Sequence, residues 1–338
     1  MKQSRVFYGD NAIADFHDPK NNPIPFVELT SDPRFNPFRN AGVRIIAGLG
    51  YQLPLMNLKS VPVHGMIMAA LRDGRLAGVN TIVESSSGNT AMALGVLGPL
   101  LAKAKVTALL PADCPPQKRE LVRLLGVDEK LFATGNGPAC AMELGKQDGC
   151  VNLAQYHCKD NPNSFYEWLG PQIWDAALER PSIVAVSMGT TGTAIGCSEY
   201  LRDRAAKVPR RPPLMLGVMC ATGNAVPGSR TLERLSEIGL PWQKAIDDSV
   251  EIGSKESYRM SLRLIRKGFL AGPSSGLALA GLHRCLRRYL GDHTLHERLV
   301  DDRGEIIAVV VFPDTFFPYA EKYSVFLDRE DFASELDT

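Results

Sequence analysis

Short runs of Val, Ile and Leu alternate along the whole chain with longer segments of helical period. The runs at residues 43–49, 81–84, 105–110, 130–133, 182–187, 214–220 and 306–312 read as strands. They are apolar almost throughout, as strands of a parallel sheet are when both faces are covered. A helix reads after Lys59, where Val63, Met66, Ile67, Ala70 and Leu71 share a face and Gly74 stops the run. Others read near 89–102, 116–125, 138–146, 166–178, 193–204, 254–267 and 276–290. Such an alternation belongs to the α/β class. A chain of 338 residues exceeds what one core usually serves, so two lobes are expected. The polar, Pro-bearing stretch 158–164 reads as a hinge-like loop, and 207–213 as an exposed connector.

Charge narrows the partners. Lys and Arg total 38 against 37 Asp and Glu, and no basic block stands out, so the footprint of a nucleic-acid binder is missing and a small molecule is favoured. Seven cysteines, at 114, 140, 150, 158, 197, 220 and 285, are scattered without a Cys-x-x-Cys pair. That argues against a disulfide framework and a zinc site, suits a reducing cytoplasm and leaves no metal expected. The first residues carry neither a signal-peptide nor a membrane-anchor pattern, and no stretch is long and apolar enough to span a bilayer.

Three Gly/Ser/Thr-rich turns each end an expected strand and open an expected helix. They are Ser85-Ser86-Ser87-Gly88-Asn89-Thr90, Gly189-Thr190-Thr191-Gly192-Thr193 and Gly272-Pro273-Ser274-Ser275-Gly276. Ligands of open α/β sheets collect at the carboxyl ends of strands, and helix N-termini present amide donors to anions. The second turn is the best phosphate cradle, with glycines for close approach and Thr190, Thr191 and Thr193 for hydroxyls. It lacks the Gly-Lys-Ser/Thr of a Walker loop, and Gly48-Leu49-Gly50 is not a dinucleotide fingerprint. Each turn also has a plain reading as a capped strand-to-helix connection.

Lys59 stands in an apolar neighbourhood of Leu53, Pro54, Leu55, Met56, Leu58, Val61, Pro62 and Val63. Most lysines are surface solubilisers, but burial there would lower the amine's pKa and make it competent for a Schiff base. His64, one helical turn on, is either a substrate contact or a structural residue; Cys114 and Cys220 read as packing residues.

Taken together and in order, these motifs resemble the fold type II pyridoxal 5'-phosphate (PLP) enzymes, and among them the cysteine synthase (O-acetylserine sulfhydrylase) and cystathionine β-synthase family. The likeness runs from about Pro25 to Tyr323. The family's Asn-Pro-x-Gly-Ser-Val-Lys-Asp-Arg is similar to Leu53-Pro54-Leu55-Met56-Asn57-Leu58-Lys59-Ser60-Val61, and its Thr-Ser-Gly-Asn-Thr-Gly to Ser86-Ser87-Gly88-Asn89-Thr90-Ala91. Its Gln-Phe, Asn-Pro-x-Asn and Gly-Pro-Glu-Ile-Trp resemble Gln155-Tyr156, Asn161-Pro162-Asn163 and Gly170-Pro171-Gln172-Ile173-Trp174. Its Gly-Thr-Gly-Gly-Thr and Gly-Ile-Ser-Ser-Gly-Ala resemble Gly189-Thr190-Thr191-Gly192-Thr193 and Gly272-Pro273-Ser274-Ser275-Gly276-Leu277.

The resemblance implies a tryptophan synthase β-like fold of two twisted-sheet lobes with PLP in the cleft. Residues 59–163 would form the small mobile lobe, 1–58 with 164–338 the large PLP-binding one, in a homodimer. It implies that Lys59 holds the cofactor as catalytic residue, Asn89 bonds its ring oxygen, Gly189, Thr190, Thr191, Gly192 and Thr193 bind its phosphate, and Ser274 faces its pyridine nitrogen. Ser86, Ser87, Gly88, Thr90 and Gln155 would bind the substrate carboxylate. A neutral hydroxyl at the ring nitrogen makes the ring a weaker electron sink, which suits β-replacement through an enzyme-bound aminoacrylate and suppresses transamination.

Three positions depart from the family pattern: Ser60-Val61 replaces Asp-Arg, Thr191 replaces a glycine of the phosphate turn, and Ala91 replaces the last glycine of the Asn89 loop. They favour a member devoted to another amino acid, in a specialised pathway, at least as much as a housekeeping cysteine synthase. Other readings are a PLP-dependent β-eliminating lyase or serine/threonine dehydratase, and a noncatalytic PLP-binding partner subunit. The dehydratases usually carry Asn-His where Asn89-Thr90 stands, which tips the balance toward replacement.

Overall fold

The computed structural model describes residues 5–333 apart from 87, 113, 115, 133–135 and 209, and of residue 294 the backbone alone. Among the described residues ten strands form two sheets: β1 (Phe26–Glu28), β2 (Val43–Leu49), β3 (Thr81–Ser85), β4 (Lys105–Pro111), β5 (Asp128–Phe132), β6 (Cys150–Val151), β7 (Ile183–Ser187), β8 (Leu214–Cys220), β9 (Asp248–Ile252) and β10 (Ile306–Phe312).

The chain divides into two compact units, Met1–Pro23 with Leu53–Ser164 and Ile24–Gln52 with Phe165–Thr338. In the expected division the first 23 residues lay with the larger lobe; here they group with the smaller unit. There the turn Pro19–Asn21 packs on the helix Ser60–Arg72.

The larger unit holds a six-stranded sheet in the order β1-β2-β10-β7-β8-β9, parallel except for β1 against β2. Every residue of β8 and β10 is buried, which is why both read as unbroken apolar runs. Edge strand β9 alternates buried Val250 and Ile252 with polar neighbours and carries no such run. The core gathers Ile45, Ala185, Leu216, Val218, Val310 and Phe312 with Leu277, Leu282 and Leu286 of the helix Pro273–Leu290.

The smaller unit holds a four-stranded parallel sheet in the order β5-β4-β3-β6. The helix Ser60–Arg72 packs on the helix Asn89–Leu97 through Val63, Met66, Ile67, Ala91 and Leu94. The second helix was expected to run to 102; it gives way to a wider π-type turn at Gly98–Ala102, where Pro99 has no amide hydrogen to continue the ladder.

The expected loop at 158–164 is corrected: residues 160–164 open the helix Asp160–Ala176. Pro162 sits in the first turn, whose amides lack intrahelical acceptors anyway, so it does not break the helix. The amide of Asn163 bonds Lys159 O at 3.0 Å and Ser164 Oγ donates to Asp160 O at 2.6 Å.

Candidate active site

Each sheet reverses its building direction once. In the larger unit β7, β8 and β9 follow one another outward, and β10 returns on the other side of β7. In the smaller, β3, β4 and β5 go outward and β6 returns on the other side of β3. At such a reversal the loops leaving the two neighbouring carboxyl ends diverge and open a crevice, where ligands of open α/β sheets bind. All the singled-out turns lie at these reversals or at helix starts.

Behind β7 come Gly189-Thr190-Thr191 and then the helix Gly192–Lys207. A side chain at Gly189 would place its Cβ 2.4 Å from the Gly228 carbonyl oxygen, so two backbones meet there. Thr191 adopts φ 68°, the left-handed region that a glycine enters without strain. It is the N-cap residue, 3% exposed, yet its side chain makes no capping bond, and its Oγ1 has no hydrogen-bond partner among the described residues. A buried hydroxyl held in a costly backbone conformation beside first-turn amides fits an anion. The cradle carries no side-chain charge of its own.

Ser274 lies in the first turn of the helix Pro273–Leu290, buried, and its Oγ donates to Asp314 Oδ1 at 2.9 Å. Asp314 follows β10, at the same reversal. Its Oδ2 accepts from Tyr319 Oη at 2.7 Å. A Cβ on Gly272 would stand 2.7 Å from Asp314 Oδ1, so the close approach of the carboxyl requires that glycine. Asp314 and Tyr319 escaped the sequence reading; the only local signal was Pro313-Asp314 directly after the last apolar run.

In the smaller unit Lys59 immediately precedes the helix Ser60–Arg72, and its amide donates to Asn57 Oδ1 at 3.0 Å. Its side chain is half-buried, while Leu53, Leu58, Val61 and Val63 around it are buried. Ser60 and Val61, which depart from the family pattern, are interior positions: Ser60 Oγ donates to Asn57 O at 2.9 Å and Val61 is 2% exposed. Charged residues there would lose their water. Ala91 is likewise packed in the core.

Behind β3 lie Ser86 and Gly88, with Asn89 as the first residue of its helix; Gly88 N donates to Ser86 Oγ at 3.3 Å. Ser87 is outside the described residues. Thr90 Oγ1 donates to Gln155 Oε1 at 2.9 Å, joining the start of the helix behind β3 to the loop behind β6. Gln155 is 2% exposed and its Nε2 completes no hydrogen bond among the described residues.

Glu84, the last-but-one residue of β3, is fully buried, and burial pushes its pKa up to about 7 against the pull of the Ser85 amide and Gln155. Gln155 and Asn152 lie close to the carboxyl, while Glu84 Oε2 completes no hydrogen bond among the described residues. His64 is half-buried with its pKa lowered by burial, and its charged neighbours are Asp18, Lys20 and His17 of the N-terminal segment. Those neighbours suit the structural alternative.

The family model described as pyridoxal-phosphate dependent enzyme matches residues 25–296. The chain belongs to this family. The unpartnered Thr191 hydroxyl and the Gly189 backbone approach fit the phosphate of PLP, its cofactor. Among curated members, cysteine synthase B of Salmonella typhimurium is 27% identical over 271 residues, covering 78% of this chain and 86% of that one. The N-(2-amino-2-carboxyethyl)-L-glutamate synthase of Ralstonia nicotianae is 26% identical over 288 residues, covering 80% and 82%.

Among solved structures of the same fold, an O-ureido-L-serine synthase superposes with a TM-score of 0.74 at 20% identity, covering 94% of this chain and 96% of that one. Cysteine synthase of Entamoeba histolytica gives 0.75 at 20% identity, covering 97% and 94%. At these identities the likeness is one of fold: the two-sheet α/β fold of fold type II PLP enzymes.

Proposed function

We propose that the protein catalyses β-replacement on a serine- or cysteine-derived amino acid, exchanging a leaving group at Cβ for a small nucleophile. The observation that carries this is the Thr90–Gln155 pair. Thr90 occupies the amide oxygen of Gln155 and leaves its buried amide NH2 near the Glu84 carboxyl but with no completed hydrogen bond among the described residues. A desolvated donor of that kind suits an amino-acid carboxylate, together with Ser86, Ser87, Gly88 and the first-turn backbone amide of Thr90, whose hydroxyl hydrogen Gln155 already takes. The names of the relatives agree with it, being synthases of cysteine or of a glutamate that bears an amino-carboxyethyl group.

PLP, when bound, withdraws electrons from Cα of the amino acid. Around it the chain's own residues divide the work. Gly189, Thr190, Thr191, Gly192 and Thr193 hold the phosphate through backbone amides and hydroxyls, Asn89 orients the ring, and Ser274 faces its nitrogen. Lys59 holds the cofactor, and its freed Nζ takes the Cα proton and later returns it. Binding the carboxylate fixes the Cα–H bond towards that amine. We expect a cytoplasmic homodimer, in keeping with seven free thiols.

The test is a visible absorption titration of the PLP-loaded protein with O-acetylserine, O-phosphoserine, cysteine and serine in turn, followed by product analysis. A spectral change with one of them, and a new amino acid only when nucleophile is added, supports replacement. Pyruvate and ammonia without nucleophile would mean elimination, and no spectral change with any of the four would revive a noncatalytic role.

A further inference from the structure

We propose that Asp314 is a positioning residue acting through Ser274: by taking the single proton of the Ser274 hydroxyl, it presents Oγ as an acceptor and so favours a protonated cofactor ring nitrogen. This rests on the reading that Ser274 faces that nitrogen, and it changes what that contact does. A serine standing alone can donate to an unprotonated ring nitrogen. A serine whose hydrogen is committed elsewhere cannot, because the hydroxyl has only one.

The commitment is built into the fold. Ser274 and Asp314 are each 2% exposed, so no water competes for the hydroxyl. Ser274 Oγ donates to Asp314 Oδ1 at 2.9 Å, and Tyr319 Oη donates to Oδ2 at 2.7 Å. Two hydroxyls directed at the two oxygens match the ionised acid, which is acceptor-only; the protonated acid would have to turn one of them round. Asp314 also stands at the N-terminus of the helix Pro273–Leu290, where negative charge is favoured: Gly272 N donates to its carbonyl oxygen at 2.8 Å. Tyr258 and Tyr323 have pKa values raised by burial first and by the charge of Asp314 in addition, so both stay neutral beside it.

With its hydrogen held by Asp314, Oγ offers only lone pairs. An unprotonated ring nitrogen also offers only a lone pair, and the two would repel; an N–H would complete the chain N–H···Oγ–H···Oδ1. The carboxylate thus reaches the ring through a hydroxyl, and the neutral serine conveys a charge that it does not carry.

The experiment is the 15N chemical shift of the ring nitrogen in protein loaded with 15N-labelled PLP, read at one near-neutral pH in the parent, D314L, S274A and the double variant; leucine is used because an asparagine would keep an oxygen able to take the Ser274 hydrogen. The expected result is a parent shift towards the protonated position, D314L and S274A both displaced towards the unprotonated position, and a double variant equal to S274A. A parent already at the unprotonated position overturns the proposal, as does a D314L shift equal to the parent's while S274A moves. If S274A leaves the shift unchanged, the assignment of Ser274 to the ring nitrogen fails, and the proposal with it. Should D314L not take up PLP, Asp314→Ala asks the same question with a smaller group that also lacks an acceptor.

Discussion

Thr90 Oγ1 donates to Gln155 Oε1 at 2.9 Å, and this bond decides which end of the Gln155 amide is left for a ligand. The two residues are 65 positions apart and follow the two strands at which the smaller sheet reverses. A carboxylate needs donors, and the amide turned this way supplies them. Gln155→Ala should raise the dissociation constant for the amino-acid substrate by about 10- to 100-fold, the loss expected for a hydrogen bond to a charged group. Thr90→Val, which frees the amide to turn, should give a smaller loss. Spectral titration of the loaded protein measures both, and unchanged affinity in Gln155→Ala would remove the carboxylate role.

Lys59→Ala should abolish turnover, by roughly 10³-fold or more, as it removes both the cofactor attachment and the Cα base. Borohydride reduction followed by intact-protein mass should show PLP fixed to the parent and not to the variant. A variant that still fixes one PLP would point to another lysine.

Thr191 should show opposite effects on stability and on cofactor binding. Its φ of 68° costs of order 1 kcal/mol for a residue with a side chain. Thr191→Gly should therefore leave the cofactor-free protein as stable as the parent or more so, while PLP affinity falls roughly 10-fold with the loss of a hydroxyl bond to phosphate. Thermal unfolding without PLP and equilibrium dialysis with it separate the two. A loss of stability with unchanged affinity would contradict the phosphate role.

Glu84 makes stability depend on pH. Its pKa in the folded protein is about 7 against an ordinary value of 4.5, so the folded state holds a proton that the unfolded chain releases. Its stabilising share is present in full below pH 4.5, declines as pH rises and is gone above about 7. Glu84→Gln should relieve that loss, giving a variant more stable than the parent above pH 7 by up to roughly 3 kcal/mol, with the advantage vanishing in acid. Urea unfolding at acid and alkaline pH tests it, and a difference that ignores pH would show that Glu84 does not titrate in this window.

The strands most legible in the sequence are those buried on both faces. Expected and observed bounds coincide for Val43–Leu49, Leu214–Cys220 and Ile306–Phe312, because the centre of a parallel sheet tolerates little besides apolar residues. The edges were harder to read. Asp128–Phe132 begins two residues before its expected start, and Asp248–Ile252 was not expected at all, because edge strands keep polar residues facing water. Phe26–Glu28 and Cys150–Val151 are too short to show any period. The polar stretch at 158–164 read as a loop because its Pro and Asn residues serve a helix's first turn as readily as a hinge.

By itself the sequence determined the α/β class, the lysine in its apolar setting, the glycine and hydroxyl turns behind the strands and, through their order, the family and its cofactor. These are local properties: residue type and spacing settle which backbone a turn adopts and which face a helix buries. Tertiary structure decided the pairs, Thr90 with Gln155 at 65 residues' separation and Ser274 with Asp314 at 40. It also decided that Glu84 would be sealed from water. Those facts follow from the side on which β6 and β10 re-enter their sheets. Strand order is set by the packing of whole layers, and neither the period nor the composition of a single segment encodes it.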